Sequence, residues 1–295
     1  CRSGAVVPGL APTPNARALL GPAAPRVVFR PVSARLPLVT PRLRSRFDPE
    51  ISHELERLAA RAWPADELHE VEGWLLRRTA GVDRRRSNSL LPPADPAAAV
   101  RTLDLALATA EEVDIAPVVQ VSPAEHHRGL DEALSAMGAA AGGDSLVLAG
   151  PLQAAGDRSS AGIDVTLSPL AREWVEDWAT VSGIAGTTAT ADLVLSQVGD
   201  RACFATATDR TTNEPLAVGI GVVEDAWLGL FSLATTPPAR RHGIASGLID
   251  HLEHWASSHD ATGTYLQVEA DNTAALTLYA TRGFHIAHSY HYRSL

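Results

Sequence analysis

A run of arginines and small residues is the stretch of this 295-residue chain best suited to chemistry. It reads Arg-Arg-His-Gly-Ile-Ala over residues 240–245, and it follows an apolar stretch from Trp227 to Thr235 that ends at Pro237-Pro238. Because proline cannot continue a hydrogen-bonded ladder, the pattern predicts a strand that stops before the two prolines. Apolar residues recur at helical spacing from Ile244 onward, so a helix is predicted to follow, with residues 240–245 across its first turn.

The first turn of that helix could bind a phosphate group. A helix N-terminus offers free backbone N–H groups and the positive end of the helix dipole, and both attract anions. Gly243 has no Cβ that would keep a ligand away from those N–H groups. A glycine at this place is also a common packing device, so the stretch alone leaves both interpretations open. Its residue order differs from the P-loop and from the three-glycine dinucleotide fingerprint.

A second motif adds a family resemblance to this pattern. The residues Arg240-Arg241-His242-Gly243-Ile244-Ala245 resemble the acetyl-CoA pyrophosphate loop of the GNAT N-acetyltransferases. The residues Asp271-Asn272, followed by Ala275, Tyr279 and Gly283-Phe284, are similar to the final helix of that family, in the family's order and at its spacing. The resemblance covers residues 163–292, is much weaker over 51–150 and is absent before that.

The resemblance implies a fold and an activity. The fold would be α/β, with a mixed, mostly antiparallel sheet flanked by helices and preceded by a smaller GNAT-like lobe. The activity would be transfer of the acetyl group of acetyl-CoA to a primary amine, by direct attack in a ternary complex. The cofactor contacts that the resemblance implies are Leu233, Ala234, Thr235, Arg240, Arg241, His242, Gly243, Ile244, Ala245, Ser246, Asn272, Ala275 and Tyr279.

Tyr279 is the candidate general acid. By resemblance its hydroxyl would protonate the departing thiolate. The alternative is a half-buried core position, since Tyr279 lies beside Leu276 and Leu278 on a helix, but the surrounding Asn272 and Ala275 pattern favours the cofactor contact. Asn272 is a residue type that caps helices, so it can have a structural role and a cofactor role together. A backbone N–H at a place where one strand leaves its neighbour could polarise the thioester oxygen, and the resemblance implies that this strand is 231–235.

The general base is the least determined catalytic group. An amine with a pKa of about 10 must lose a proton before it attacks. Glu269, at the end of the second strand, is our candidate. A water chain without a dedicated residue is an alternative, and the other side chains that could serve are Glu224, Asp225, His285, His288 and His291. The resemblance also implies that an earlier helix borders the acceptor cleft, so Glu173, Glu176 and Asp177 could contact a cationic amine.

Sequence patterns divide the chain into three parts. Residues 1–47 hold eight arginines and no acidic residue, which predicts a disordered Arg/Pro-rich extension. Residues 48–155 are interpreted as a degenerate GNAT-like lobe, and residues 156–295 as the catalytic domain, with a linker over 156–160. The first lobe is predicted to contain a helix over 51–62, strands over 70–79 and 86–91, a helix over 97–110, a strand over 115–121, a helix over 123–137 and a strand over 145–148. The second is predicted to begin with a strand over 163–167, a helix over 170–184 and a meander over 202–208, 215–223 and 227–235.

Composition limits the partners. Residues 48–295 hold 17 of the 25 basic residues and all 34 acidic ones, a formal charge near −17, so a nucleic-acid partner is not expected. No apolar run approaches the length of a membrane span, and we expect a cytoplasmic protein. The complete absence of lysine is typical of a GC-rich, actinobacterial genome. Cys1 and Cys203 provide neither a disulfide framework nor a metal set, so no metal is expected.

The acceptor and the assembly state remain open at this stage. The amine could belong to a small molecule or a peptide, and a homodimer is compatible with the sequence. A mycothiol-synthase-like tandem acetyltransferase is an alternative that the two-lobe layout allows. A non-catalytic acyl-CoA sensor that retains the cofactor loop is a second alternative, from a different functional class.

Overall fold

One sheet of eleven strands runs through the part of the chain that the computed structural model describes, residues 49–153 and 162–295. The predicted extension over 1–47 and the predicted linker over 156–160 lie outside the described residues. The helices are α1 Pro49–Ala62, α2 Pro96–Arg101, α3 Leu103–Glu112, α4 Arg128–Ala136, α5 Arg172–Ser182, α6 Thr187–Leu193, α7 Ile244–Ser257 and α8 Thr273–Thr281. The strands are β1 Glu67–Val71, β2 Trp74–Arg78, β3 Ser89–Leu91, β4 Val118–Val121, β5 Ala140–Pro151, β6 Ile163–Ser168, β7 Ala202–Asp209, β8 Pro215–Glu224, β9 Trp227–Thr235, β10 Gly263–Glu269 and β11 His285–Ser294.

The longest apolar patterns are confirmed as predicted. The stripe that predicted α1 is buried, with Leu58 and Ala62 fully covered, and the helix ends just before Trp63-Pro64. The predicted meander is present as β7, β8 and β9 in antiparallel pairing. Its two turns have Asn213 and Asp225 at positive φ, 60° and 54°, a conformation that these short polar residues tolerate.

Three predicted elements of the first lobe differ in the structure. The strand predicted over 86–91 begins only at Ser89, because residues Arg85–Ser87 form a 3-10 turn. Residues 70–79 were predicted as one strand but contain a hairpin, because Glu72 and Gly73 have φ values of 46° and 84° and turn β1 back onto β2. Two central residues with positive φ match the right-handed twist of paired strands. The helix predicted over 97–110 is two helices, α2 and α3, which meet at Thr102.

The last strand of each half lies inside the other half of the sheet. The strand order is β1-β2-β3-β4-β11-β5-β10-β9-β8-β7-β6. Thus β5, from the first lobe, pairs with β10 and β11, while β11, the final strand of the chain, pairs with β4 and β5. Most neighbours are antiparallel, and the parallel pairs are β3 with β4 and β9 with β10. The predicted division near residue 155 therefore separates two segments that share hydrogen bonds across one sheet.

Helices cover both faces of this sheet. On one face, α1, α5 and α6 pack with Trp174, Trp178 and Phe231 into one apolar cluster. On the opposite face, α7 and α8 pack against the same strands, and α2, α3 and α4 cover the first lobe. Trp174 and Trp178, one turn apart on α5, are both buried in that apolar cluster, with ring centroids 5.4 Å apart. Helix α1 belongs to the first lobe in sequence but packs on the face of the second.

A buried polar chain also joins the two halves. Glu56 on α1 accepts hydrogen bonds from Ser122 Oγ at 2.7 Å and Gln120 Nε2 at 2.9 Å, and its Oε1 lies 2.7 Å from His288 Nε2 on β11. Arg77 Nη2 donates to the oxygen of Gln120 at 2.7 Å. Burial raises the pKa of Glu56, but the hydrogen bonds and charge of His288 and the other donors outweigh it, so the net pKa lies below the usual value. The carboxylate is therefore held ionised.

Candidate active site

The strands β9 and β10 pair only at their beginnings and then separate. Their parallel register runs from Trp227 opposite Gly263 to Leu230 opposite Leu266, while β9 continues to Thr235 and β10 to Glu269. Helix α7 connects the two strands, so this is a βαβ unit, and ligands bind such units beyond the carboxyl ends of the strands. The opening between β9 and β10 lies at that edge.

A bulge marks the point where β9 leaves its neighbour. Ile220 of β8 pairs with Phe231 and Val218 pairs with Ala234, so Ser232 and Leu233 oppose the single residue Gly219. Ser232 has φ of 49°, and a bulge of this kind leaves one residue out of the ladder. A Cβ on Gly219 would lie 2.6 Å from Leu233 Cδ2, so the glycine gives the Leu233 side chain its space. The predicted contacts Leu233, Ala234 and Thr235 are half-buried here.

The arginine-rich loop precedes α7 and does not form its first turn as predicted. Helix α7 begins at Ile244, and Gly243 is its N-cap with φ of 80°. Arg241 also has positive φ, 64°. This conformation is not helical, so the helix cannot include Arg241 and begins only at Ile244. Arg240 Nε donates to the carbonyl of Thr235 at 3.2 Å and attaches the loop to the end of β9.

The residues of this loop present unpaired donors. Arg240, Arg241, His242 and Gly243 are exposed, and the space into which a Cβ on Gly243 would point is open. Within the described ranges, the backbone N–H groups of residues 241–246 donate no hydrogen bond to the protein. Such a row of donors at the N-terminus of a 14-residue helix fits a phosphate group. Ile244 is buried, and Ala245 and Ser246 are half-buried beside it.

Helix α8 begins at the same edge of the sheet, after β10. The side chain of Asn272 accepts a hydrogen bond from the Ala275 N–H at 3.1 Å, so its predicted capping role is confirmed. Its contact with a cofactor stays a prediction, as does that of Ala275. The two helix N-termini, at Gly243 and Asn272, therefore lie beyond the carboxyl ends of the two separating strands.

Tyr279, on α8, is buried in the apolar cluster that also contains Ile244 and Leu248 of α7. Its side chain is 7% exposed, and its ring packs edge-on against Phe284 with centroids 5.7 Å apart. Burial raises the pKa of Tyr279 to about 12. Its hydroxyl makes no hydrogen bond to any residue in the described ranges. The ring of Tyr279 is therefore packed in the core, while its hydroxyl is available to hydrogen-bond a ligand.

A buried ion cluster that the sequence analysis missed braces these two helices. Arg282, just after α8, donates from Nη2 to Asp250 at 2.7 Å and to Glu253 at 2.7 Å, both on α7. Its Nη1 reaches the carbonyl of Ser246, in the first turn of α7, at 3.3 Å. Glu253 and Arg282 are almost completely buried. A signal existed in the sequence, since Asp250 and Glu253 are three apart on an apolar helix.

Most of the candidate bases have partners. Glu224 pairs with Arg61 at 2.9 Å and with Arg201, while His291 Nε2 lies 2.7 Å from Asp131. His288 is buried against Glu56. The exposed residues Glu269 and His285 make no side-chain hydrogen bond or ion pair within the described part of the chain, and Glu269 lies at the end of β10. Glu269 stays our prediction for the base.

The remaining predicted residues divide between surface and core. Cys203 is buried, and desolvation raises the pKa of its thiol to about 11. Glu176 pairs with Arg172 at 3.0 Å on the exposed side of α5, and Asp177 accepts from Thr206 at 3.4 Å.

Among the described residues, no group of three or more His, Cys, Asp or Glu side chains is placed to hold a metal ion. No helix in the same ranges is both long and apolar enough to cross a membrane.

Comparison with known proteins identifies the family that this fold and site define. Residues 50–293 match the family model described as "Probable histone acetyltransferase Rv0428c C-terminal", and the chain belongs to this family within the GNAT superfamily. The "Uncharacterized N-acetyltransferase YobR" of Bacillus subtilis is 25% identical over 244 residues, which cover 81% of this chain and 97% of that protein.

Solved structures show the same fold at lower identity. A GCN5-related N-acetyltransferase from Kribbella flavida superposes with a TM-score of 0.58 and 15% identity, over 83% of this chain and 94% of the other. A tandem GNAT protein from the clavulanic acid biosynthesis pathway has a TM-score of 0.52 and 15% identity, over 75% of this chain and 73% of the other. The GNAT fold expected from the sequence is therefore confirmed.

Proposed function

We propose that the protein transfers the acetyl group of acetyl-CoA to a primary amine, which attacks directly in a ternary complex. The observation that carries this proposal is the row of unpaired backbone N–H groups at residues 241–246, at the open edge of β9 and β10. A pyrophosphate group held at the start of α7 would direct the rest of an extended cofactor into the opening between the strands. Membership of an acetyltransferase family supports the choice of donor.

The residues of the opening supply two of the functions that acetyl transfer needs. The bulge at Ser232 and Leu233 removes one residue from the ladder, and a free N–H at that position would stabilise charge on the thioester oxygen. Tyr279, with its pKa raised to about 12, stays protonated at any assay pH. Because a thiol has a pKa near 8.5, complete proton transfer from Tyr279 would be uphill. We assign it the role of hydrogen-bond donor to the departing sulfur.

The proposal is tested by thiol release from acetyl-CoA with the full chain. We expect release that depends on an added primary amine and that saturates with acetyl-CoA. A protein that binds acetyl-CoA but releases no thiol with any amine would instead be an acyl-CoA sensor, the alternative from a different class. The family description names histones, so a protein lysine is the second acceptor class to include beside small amines.

A further inference from the structure

Three consecutive arginines of the first lobe lie on the face of the sheet opposite α7. Arg84, Arg85 and Arg86 occupy the connection between β2 and β3, and residues Arg85–Ser87 form a short 3-10 turn. The Asn88 side chain fixes this connection, because its Nδ2 donates to the carbonyls of Val82 at 2.7 Å and Arg84 at 3.2 Å. Its Oδ1 accepts from the N–H of Thr79 at 2.8 Å.

The three guanidinium groups stack on aromatic rings from three different elements of the second half. The Cζ of Arg84 lies 5.7 Å from the ring of Trp178 on α5, and that of Arg85 lies 5.5 Å from Tyr292 on β11. The Cζ of Arg86, between them, lies 5.5 Å from the ring of Phe231 on β9 and 5.6 Å from Trp63. Aromatic rings hold a guanidinium group by its face and leave its N–H edge free for an anion.

The position of Phe231 brings these charges close to the reaction. Phe231 is the residue before the bulge at Ser232, and its side chain packs on the α1 and α5 face, away from α7. Arg86 therefore lies against the strand that we assign to acetyl transfer, on the face of the sheet opposite α7. Gly143 on β5 contributes space, because a Cβ there would lie 2.5 Å from Arg85 Nη1.

These three neighbouring arginines form no ion pair with a carboxylate in the described ranges. Nine of the sixteen arginines in the described ranges form ion pairs. Arg84, Arg85 and Arg86 form none with any described residue, and Arg84 Nη2 is buried without a hydrogen-bond partner. Neighbouring like charges repel, and a buried donor without an acceptor is costly. In a region with 34 acidic residues against 17 basic ones, such a cluster indicates that an anion from outside the protein completes it.

We propose that Arg84, Arg85 and Arg86 bind an anionic group of the acceptor, so that the acceptor is a small amine that also carries a carboxylate or a phosphate. This inference rests on the proposed acetyl transfer and names its substrate class. Guanidinium groups match both anions through paired N–H donors. The same cluster repels a lysine-rich protein segment, so the geometry favours the small anionic amine over a protein lysine.

The test compares acceptors that differ in charge alone. Thiol release from acetyl-CoA is measured with amino acids and their amides, with O-phosphoethanolamine and ethanolamine, and with a lysine-rich peptide. The full chain is compared with Arg86→Gln and with Arg128→Gln, whose exposed arginine on α4 also forms no ion pair with a described residue. We expect the wild type and Arg128→Gln to use one anionic series about 10-fold or more better than its neutral counterpart.

In Arg86→Gln, kcat/KM for the anionic acceptor should fall about 10- to 100-fold, as expected for loss of a charge-assisted hydrogen bond. The value for the neutral counterpart and the acetyl-CoA affinity should stay within about threefold. The carboxylate and phosphate series identify which anion is bound. Three results would overturn this inference but not the proposed acetyl transfer. These are equal use of charged and neutral amines, preference for the lysine-rich peptide, and unchanged selectivity in Arg86→Gln. Absence of acetyl-CoA binding, or of thiol release with every amine, would overturn the proposed function and this inference together.

Discussion

Glu56 Oε1 and His288 Nε2 lie 2.7 Å apart, although 232 residues separate them in the chain. Glu56 is on the first helix described and His288 is on the last strand, and both side chains are almost completely buried. Their contact therefore links the beginning of the first lobe to the strand that closes the sheet. Ser122 and Gln120 satisfy the remaining carboxylate lone pairs.

Replacing Glu56 with Gln should be strongly destabilising. The amide would bring a donor to a place where three neighbours already donate, and it would remove the charge that they stabilise. We expect a loss of about 3–5 kcal/mol in the free energy of unfolding, measured by urea denaturation. The control is Glu70→Gln, whose exposed carboxylate is 3.8 Å from Arg57 and whose loss should cost about 0.5 kcal/mol or less. Equal effects of the two substitutions would contradict the structural role of Glu56.

His53, one turn before Arg57 on α1, should make the fold sensitive to mild acid. Burial and the nearby positive charges lower its pKa from 6.5 to about 4, so the folded protein holds it neutral. Between pH 6.5 and pH 4, His53 is protonated in the unfolded chain but stays neutral in the folded protein. The free energy of unfolding therefore falls as the pH falls. The loss through this group should be about 2 kcal/mol, after a discount for its partial exposure. In His53→Gln, the free energy of unfolding should change less between pH 6.5 and pH 4 than in the wild type. The same pH dependence in both proteins would contradict the prediction.

Tyr279 should affect turnover more than cofactor affinity. Tyr279→Phe removes the hydroxyl and keeps the packing against Phe284, so we expect kcat to fall about 10- to 100-fold while the Kd of acetyl-CoA changes less than about threefold. Because the pKa of Tyr279 is about 12, the pH-rate profiles of wild type and variant should have the same shape up to pH 10. Tyr265→Phe is the control, since its buried hydroxyl has no partner. Unchanged kcat in Tyr279→Phe would remove this residue from the mechanism.

The two halves should not fold separately. A fragment of residues 162–295 lacks β5, which lies between β10 and β11, and it lacks α1, which covers β8 and β9. Without β5, the strands β10 and β11 would expose unpaired edges, and without α1, the strands β8 and β9 would expose apolar surface. We expect no cooperative thermal unfolding from this fragment by circular dichroism, and recovery when residues 49–153 are produced with it. A cooperative transition from the fragment alone would contradict the exchange of strands.

Local motifs predicted the meander of the second half and the helix that follows its last strand. The meander, the prolines after β9 and the cap at Asn272 are properties of short segments, so their sequence patterns are sufficient. The hairpin at Glu72-Gly73 could have been predicted, because a glycine follows an alternating segment there and precedes another. The resemblance supplied the cofactor chemistry that these patterns alone do not determine.

Long-range features could not be predicted in the same way. The strand exchange depends on β5 meeting partners more than a hundred residues away, and its glycine-rich start gives a weak strand pattern. The position of Arg86 against Phe231 depends on that arrangement, because it brings a connection of the first lobe onto the face of the second. A sequence of three arginines on its own is equally typical of a solvated turn.

Acetyl-CoA binding at Gly243 is the measurement that tests the central claim most directly. Acetyl-CoA is titrated calorimetrically into the full chain, into Gly243→Val and into Gly138→Val. Gly243 and Gly138 have similar φ values, 80° and 86°, and open space where a Cβ would lie, so the two substitutions impose similar backbone strain. We predict that wild type and Gly138→Val bind with affinities within about threefold, and that Gly243→Val binds at least about 30-fold more weakly. Equal affinity of the two variants, both folded by thermal melting, would contradict the cofactor site.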